Sequence, residues 1–391
     1  MRAGLILLTL AYVLSQFYRA FLAVLSPALA RDLGAGPSDL ATATGLWFLV
    51  FAAMQIPVGA LLDRIGPRRT AASIFAFGAG GGALVFALAS APWHISVAMT
   101  LIGIGCSPVL MASYYTFARL YPPATFATLA ALVLGIGSVG NLLGSAPLAW
   151  MVEAWGWRAT MGALSGGTVL LSAGLWLVVT DPPPVESATR GSLLDLLKIP
   201  ALWLVFPLMF VGYAPAAGLR GLWIGPYLGD MHGADTVLIG NASLVMGVAM
   251  IAGTFLYGPL DRWLGTRKWV VFAGNAGGLI ACATLALWPA MPLGAAIAAF
   301  AAVGFFCASF PMIVAHGRAF FPPHLAGRGI TLMNLFGIGG VGLFQVATGR
   351  IYDSYAAASG PQAGYQPVFG LMTVALALGL ALYLFSRDRT D

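Results

Sequence analysis

Gly59-Ala-Leu-Leu-Asp63-Arg64-Ile-Gly66-Pro67-Arg68-Arg69 decides the reading of this 391-residue chain, because it occurs twice. It returns as Gly258-Pro-Leu-Asp261-Arg262-Trp-Leu-Gly265-Thr-Arg267-Lys268. Two further echoes keep the same order. Gly78xxxGly82 returns as Gly274xxxGly278, and Arg119-Leu-Tyr-Pro122-Pro123 returns as Arg318-Ala-Phe-Phe-Pro322-Pro323. The offsets run from 196 to 200 residues, half the chain, so the sequence reads as two copies of one unit.

Outward from these basic loops the chain is almost wholly apolar. Sixty per cent of residues are hydrophobic and 8% charged, with a mean hydropathy of +0.89. A soluble domain carries roughly 25% charged residues, so this composition cannot cover a surface in water. Runs of about 20 apolar residues span a bilayer. They predict helices over 5–30, 40–62, 70–90, 94–118, 127–150, 158–180, 200–228, 237–260, 268–288, 292–316, 328–350 and 365–386. The expectation is an all-α membrane protein of twelve transmembrane helices in two six-helix repeats. Its halves are 1–180 and 200–391, joined by a polar linker at 181–199 that opens with Asp181-Pro182-Pro183-Pro184. The fifty glycines suit close helix approach in lipid.

The net charge of +6 resides in short loops, which points to topology and away from nucleic acid. With the N-terminus inside, 14 of the 19 Lys and Arg fall on the cytoplasmic side. The expected location is a bacterial inner membrane, crossed many times, with both termini cytoplasmic. Arg2, a long apolar run and Ala28-Leu29-Ala30 imitate a signal peptide, but the run is too long and contains Arg19, so it reads as the first span. Cys106, Cys282 and Cys307 lie within apolar segments without metal spacing and read as core residues.

The loop pattern resembles the signature of the major facilitator superfamily, carried by Gly59, Asp63, Arg64, Gly66, Arg68 and Arg69 and repeated at Gly258, Asp261, Arg262 and Gly265. The resemblance implies a twelve-helix rocker-type transporter with helices 1 and 7 lining a central cavity. It also implies that Gly59, Asp63, Arg64, Arg68, Asp261 and Arg262 form gating contacts. Gly59 would let helix 2 pack tightly, and Asp63 would cap the positive N-terminus of a facing helix. The alternative is that the arginines only set topology.

An ionisable residue inside a membrane helix costs roughly 2.5–3.5 kcal/mol on insertion scales and is functional by default. Arg19 in helix 1 shares a helical face with Tyr12, Gln16, Ala23 and Ser26. Arg220 in helix 7 lies at similar spacing from Tyr213, Trp223 and Tyr227. No Asp or Glu falls mid-span, so the two cations favour an anionic substrate, which a guanidinium clamps through two donors. Arginines in helices 1 and 7 are also similar to those of organophosphate:phosphate exchangers in the superfamily. Otherwise each arginine is held by carbonyls of a broken helix.

Tyr114 in helix 4, Asn141 in helix 5, and Asn334 and Gln345 in helix 11 complete the candidate substrate contacts; each could instead join helices. Gly137-Ser-Val-Gly140-Asn141-Leu-Leu-Gly144 resembles a nitrate-transporter signature, but helices 2 and 8 lack its arginines. Met246 and Met250 invite a copper reading, without the His-xxx-Met that would support it. No metal motif, cofactor motif or nucleophile triad is present. The expectation is a monomeric, non-enzymatic secondary transporter of a small organic anion. Efflux of amphipathic compounds, copper import and a non-transporting scaffold or sensor on the same fold are the alternatives.

Overall fold

The computed structural model describes residues 2–182, 193–322 and 325–389; among these all regular structure is helical. Most of the expected linker, 183–192, lies outside the described residues. α1 runs in two pieces, Arg2–Phe17 and Leu22–Leu33, bent by 51°. α2 is Pro37–Arg64, α3 Pro67–Ala87 and α4 Pro92–Leu120. α5 (Pro123–Leu143) is followed by α6 (Ala146–Val178). α7 is Pro200–His232, α8 Thr236–Leu264, α9 Lys268–Leu287 and α10 Leu293–Arg318. α11 (Ala326–Ser359) and α12 (Tyr365–Tyr383) complete the order. Ten of the described helices are long and apolar enough to cross a membrane, the bent α1 pair makes an eleventh, and α5 contributes a shorter apolar segment, Thr128–Leu143.

The chain divides into two compact units, Met1–Ala188 with Asp235–Gly240, and Thr189–Ala234 with Asn241–Asp391. Inside each unit the same devices recur. Among the described residues every positive-φ residue is a glycine, and they fall in pairs: Gly34 with Gly233 (φ 68° and 63°), Gly66 with Gly265 (95° and 65°), and Gly156 with Gly360 (77° and 88°). Only glycine adopts such angles without a Cβ clash. Gly34 and Gly233 end α1 and α7 with the same double bond pattern. The N–H of Gly34 donates to Ala30 O and that of Ala35 to Leu29 O; the N–H of Gly233 donates to Gly229 O and that of Ala234 to Leu228 O. Gly156 is the true corner between the fifth and sixth spans, since its φ and ψ of 77° and 157° interrupt the long α6.

Glycines also set the closest helix crossings. A Cβ on Gly140 of α5 would stand 1.9 Å from Val13 O of α1, and one on Gly340 of α11 would stand 2.0 Å from Phe210 O of α7. Backbone thus rests on backbone at the same crossing in both units. The two GxxxG echoes pack in the same way. Gly78 meets the backbone of Gly105 and Gly82 that of Ala98 on α4, while Gly274 meets Ser309 and Gly278 meets Cys307 on α10.

The first helix departs from expectation. The spacing of Tyr12, Gln16, Arg19, Ala23 and Ser26 assumed one continuous helix, but the chain breaks over Tyr18–Ala20. There the bonding tightens to i→i−3, Arg19 N–H to Gln16 O and Ala20 N–H to Phe17 O. Ser26 lies beyond the break and bonds its own helix at Ala23 O, so the polar face does not continue through Arg19.

Candidate functional site

In the second unit the site is built on a disrupted α7. Helix segments Phe206–Gly212 and Ala214–Gly218 meet at Tyr213, and a π-helical turn follows over Leu219–Trp223. A π turn leaves a carbonyl without its usual i+4 donor and often marks a functional position. Here Gly218 O receives the Gln345 side chain at 3.3 Å. Trp223 Nε1 donates to Gln345 Oε1 and Thr348 Oγ1, both at 3.1 Å. Trp223 and Gln345 were expected as substrate contacts; both are fully buried and spend their polar atoms holding the π turn against α11. Tyr227 was expected beside them. Its hydroxyl donates to Pro289 O at 2.7 Å, and its ring packs among Phe300, Tyr365 and Phe369, so it anchors helices. Arg220 lies within the π turn and is 6% exposed. Tyr213 is half-buried at the bend, its ring 4.6 Å from that of Phe310, and Asn334 is half-buried on α11.

In the first unit Arg19 occupies the break in α1. Its guanidinium carbon lies 5.3 Å from the Trp47 ring and 5.2 Å from the Phe51 ring, both on α2. Those two rings stack on each other at 5.1 Å with 14° between planes. The contact is a cation–π arrangement on a two-ring floor. The Arg19 Nε is buried without a hydrogen-bond partner, as are Gln16 Oε1 and Trp47 Nε1. Tyr12 fills the space left by the missing side chain of Gly137. Tyr114 and Asn141 are half-buried on α4 and α5. Trp47 was not among the sequence candidates, because an isolated Trp in an apolar span carries no pattern that separates a site from a core.

The basic loops show a device that the motif alone did not reveal. Asp181, just beyond α6, accepts the backbone N–H of Arg68 at 2.7 Å and so caps the N-terminus of α3. Arg68 Nε adds a charge contact to Asp181 at 3.4 Å, too poorly aligned for a hydrogen bond. Asp388, beyond α12, does the same for α9, accepting the N–H groups of Lys268 (2.9 Å) and Arg267 (3.1 Å) and the hydroxyl of Thr266. Burial would raise the Asp388 pKa, but these donors outweigh it and hold the carboxyl below its ordinary value. Each acid follows the last helix of its repeat, a correspondence that the repeat itself could have suggested. Asp261 is buried and paired with Arg267 at 3.0 Å, whereas Asp63, Arg64 and Arg262 are exposed. Within its unit an added Cβ on Gly59 would meet only Met111 Cε at 3.8 Å, ordinary contact.

A sequence profile described as Major Facilitator Superfamily matches residues 8–223. The chain belongs to that superfamily. Structures of other superfamily transporters share the fold over nearly the whole length. A bacterial homolog of the human lysosomal transporter Spinster, in an inward-facing and unoccupied conformation, matches with a TM-score of 0.81, 17% identity, and 98% and 96% of the two chains covered. A D-xylose–proton symporter gives 0.79 at 15% identity over 98% of each chain. The nucleoside transporter NupG gives 0.74 at 15% identity over 98% and 99%. In sequence, the uncharacterized transporter YybO of Bacillus subtilis (strain 168) is 21% identical over 276 residues, which cover 64% of this chain and 62% of that relative. The chain is therefore a multi-pass membrane protein of that superfamily.

Proposed function

We propose that this transporter moves a small organic anion across a bacterial inner membrane as a monomer, with both termini cytoplasmic. The observation that carries the anion reading is Arg19, a guanidinium held at a helix break over the Trp47 and Phe51 rings, its buried Nε without a hydrogen-bond partner. A cation so placed is costly unless it meets negative charge, and an anion supplies it. Arg220 offers a second buried guanidinium in the other unit, again at an irregular turn. Tyr12, Gln16, Tyr114, Asn141, Tyr213 and Asn334 remain as side-wall contacts, while Trp223, Tyr227 and Gln345 support the helix that carries Arg220.

A thermal-shift screen of the purified protein against carboxylates, phosphates and cationic amphiphiles tests the reading, since a ligand raises apparent stability with occupancy. An anion should stabilise the wild type and fail to stabilise Arg19→Ala. Arg19→Lys and Arg220→Lys should weaken binding strongly, because lysine keeps the charge but loses the planar fork. Stabilisation by cationic amphiphiles alone, undiminished in Arg19→Ala, would establish the efflux alternative.

A further inference from the structure

The surroundings of Arg19 offer more than positive charge. Three buried polar atoms there lack a hydrogen-bond partner: Arg19 Nε, Trp47 Nε1 and, three residues before the arginine, Gln16 Oε1. Trp47 is 0% exposed and Gln16 8%. Native proteins rarely leave such atoms unpaired, and those that remain call for a physical reason. Two of the three are donors and one is an acceptor. A carboxylate, or a phosphate ester in its fully ionised form, satisfies donors only. The Gln16 oxygen requires an O–H or N–H from the same ligand. An ammonium there would be repelled by the guanidinium one turn away, whereas a hydroxyl is neutral and is not.

Resting on the anion reading above, we propose that the transported anion carries a hydroxyl beside its acidic group. Arg19 and Trp47 donate to the acid, and Gln16 accepts from the hydroxyl. Trp47 then has two roles. Its ring, stacked on Phe51, forms the floor that limits where the guanidinium can lie, and its indole N–H is a second donor to the anion. Gln16 is the residue that discriminates a hydroxy acid from the plain acid, since a site that pairs with a hydroxyl is left with an orphaned acceptor when the hydroxyl is missing.

Matched pairs of acids test this by thermal-shift titration of the purified full chain: lactate against propionate, malate against succinate, and hydroxyethyl phosphate against ethyl phosphate. The hydroxylated member of at least one pair should bind about tenfold or more tightly. Gln16→Leu should erase that ratio; should this variant fail to fold, Gln16→Met replaces it. Trp47→Phe, which keeps a ring and removes the N–H, should weaken both members together and leave the ratio intact. Equal binding of both members by the wild type, or a ratio that survives loss of the Gln16 amide, overturns the hydroxyl proposal while the anion reading stands. If no member of any pair shifts the melting temperature, both fall together.

Discussion

The loop after α2 and the loop after α8 begin as copies and end with different electrostatics. Both turn at a positive-φ glycine, Gly66 and Gly265, and both start the next helix under a carboxylate from the end of their repeat, Asp181 and Asp388. They part at the aspartate inside the motif. Asp261 is closed in: Arg267 Nε and Nη2 reach its Oδ2 at 3.1 and 3.0 Å, and Arg267 Nη1 binds Ala315 O at 3.2 Å. Asp63 is left at the surface, and its neighbour Arg68 turns to Asp181. The second loop has thus become a structural clasp within its own unit. The first leaves its carboxylate exposed, beside Tyr115 of α4.

The comparison is easiest to break at Asp261. Its side chain is 11% exposed and that of Arg267 16%. Asp261→Ala leaves a buried guanidinium without its acid and should cost about 3 kcal/mol of stability. Thermal unfolding in detergent measures this, and an unchanged melting temperature would show that the clasp carries no load. The glycines come next. Gly66, at φ 95° and ψ 160°, lies in a region open almost only to glycine, and a Cβ there would stand 2.7 Å from the Asp181 carboxyl. Gly66→Ala should therefore cost roughly 2 kcal/mol. Gly265→Ala, with nothing within 4 Å of the new Cβ, should cost about 1 kcal/mol. Equal losses would mean that the Asp181 cap yields freely.

A smaller effect is expected from pH. Asp388 has its pKa lowered in the folded protein by Thr266 and the N–H groups of Lys268 and Arg267, against the opposing effect of burial. Its contribution is present above the ordinary aspartate value of about 4 and is lost as pH falls through the lower folded value. The melting temperature of the wild type should drop over that acidic window, and Asp388→Asn should flatten the slope and lower the melting temperature at neutral pH, where the carboxylate's contribution is present in full. The smallest stability effect belongs to Asp63→Asn, which should leave the melting temperature in place yet slow transport several-fold. Loss of stability there, or unimpaired uptake in vesicles, would erase the distinction between the two loops.

Much of this protein was legible before any coordinates. The glycine–aspartate–arginine loops and their echo half a chain later implied the duplication, and hydropathy with short proline-marked turns placed most spans to within a few residues, although α11 runs on to Ser359, nine residues past its expected end at 350. Both rest on local chemistry: a bilayer demands a fixed length of apolar helix, and a tight turn at positive φ demands glycine. The residues that escaped were those whose role depends on a distant partner. Asp181 reads as the first polar residue of a linker until Arg68 is seen above it, and Trp47 reads as one more apolar residue until Arg19 is found against it. Trp223, Tyr227 and Gln345 erred the other way, since a polar face on a helix does not say whether it looks at a ligand or at another helix.

The amino-acid sequence alone determined the class, the order of the membrane segments, the two-fold repeat and the positions of the two intramembrane cations. Periodicity, length and charge act within a few residues of each other, so they survive in one dimension. Only the tertiary structure decided that α1 breaks at Arg19, that α7 passes through a π turn at Arg220, and which polar side chains are already satisfied. Those outcomes depend on what a neighbouring helix presents. The bare backbone of Gly140 crosses α1 just before its break, and Gln345 donates to Gly218 O at the head of the π turn.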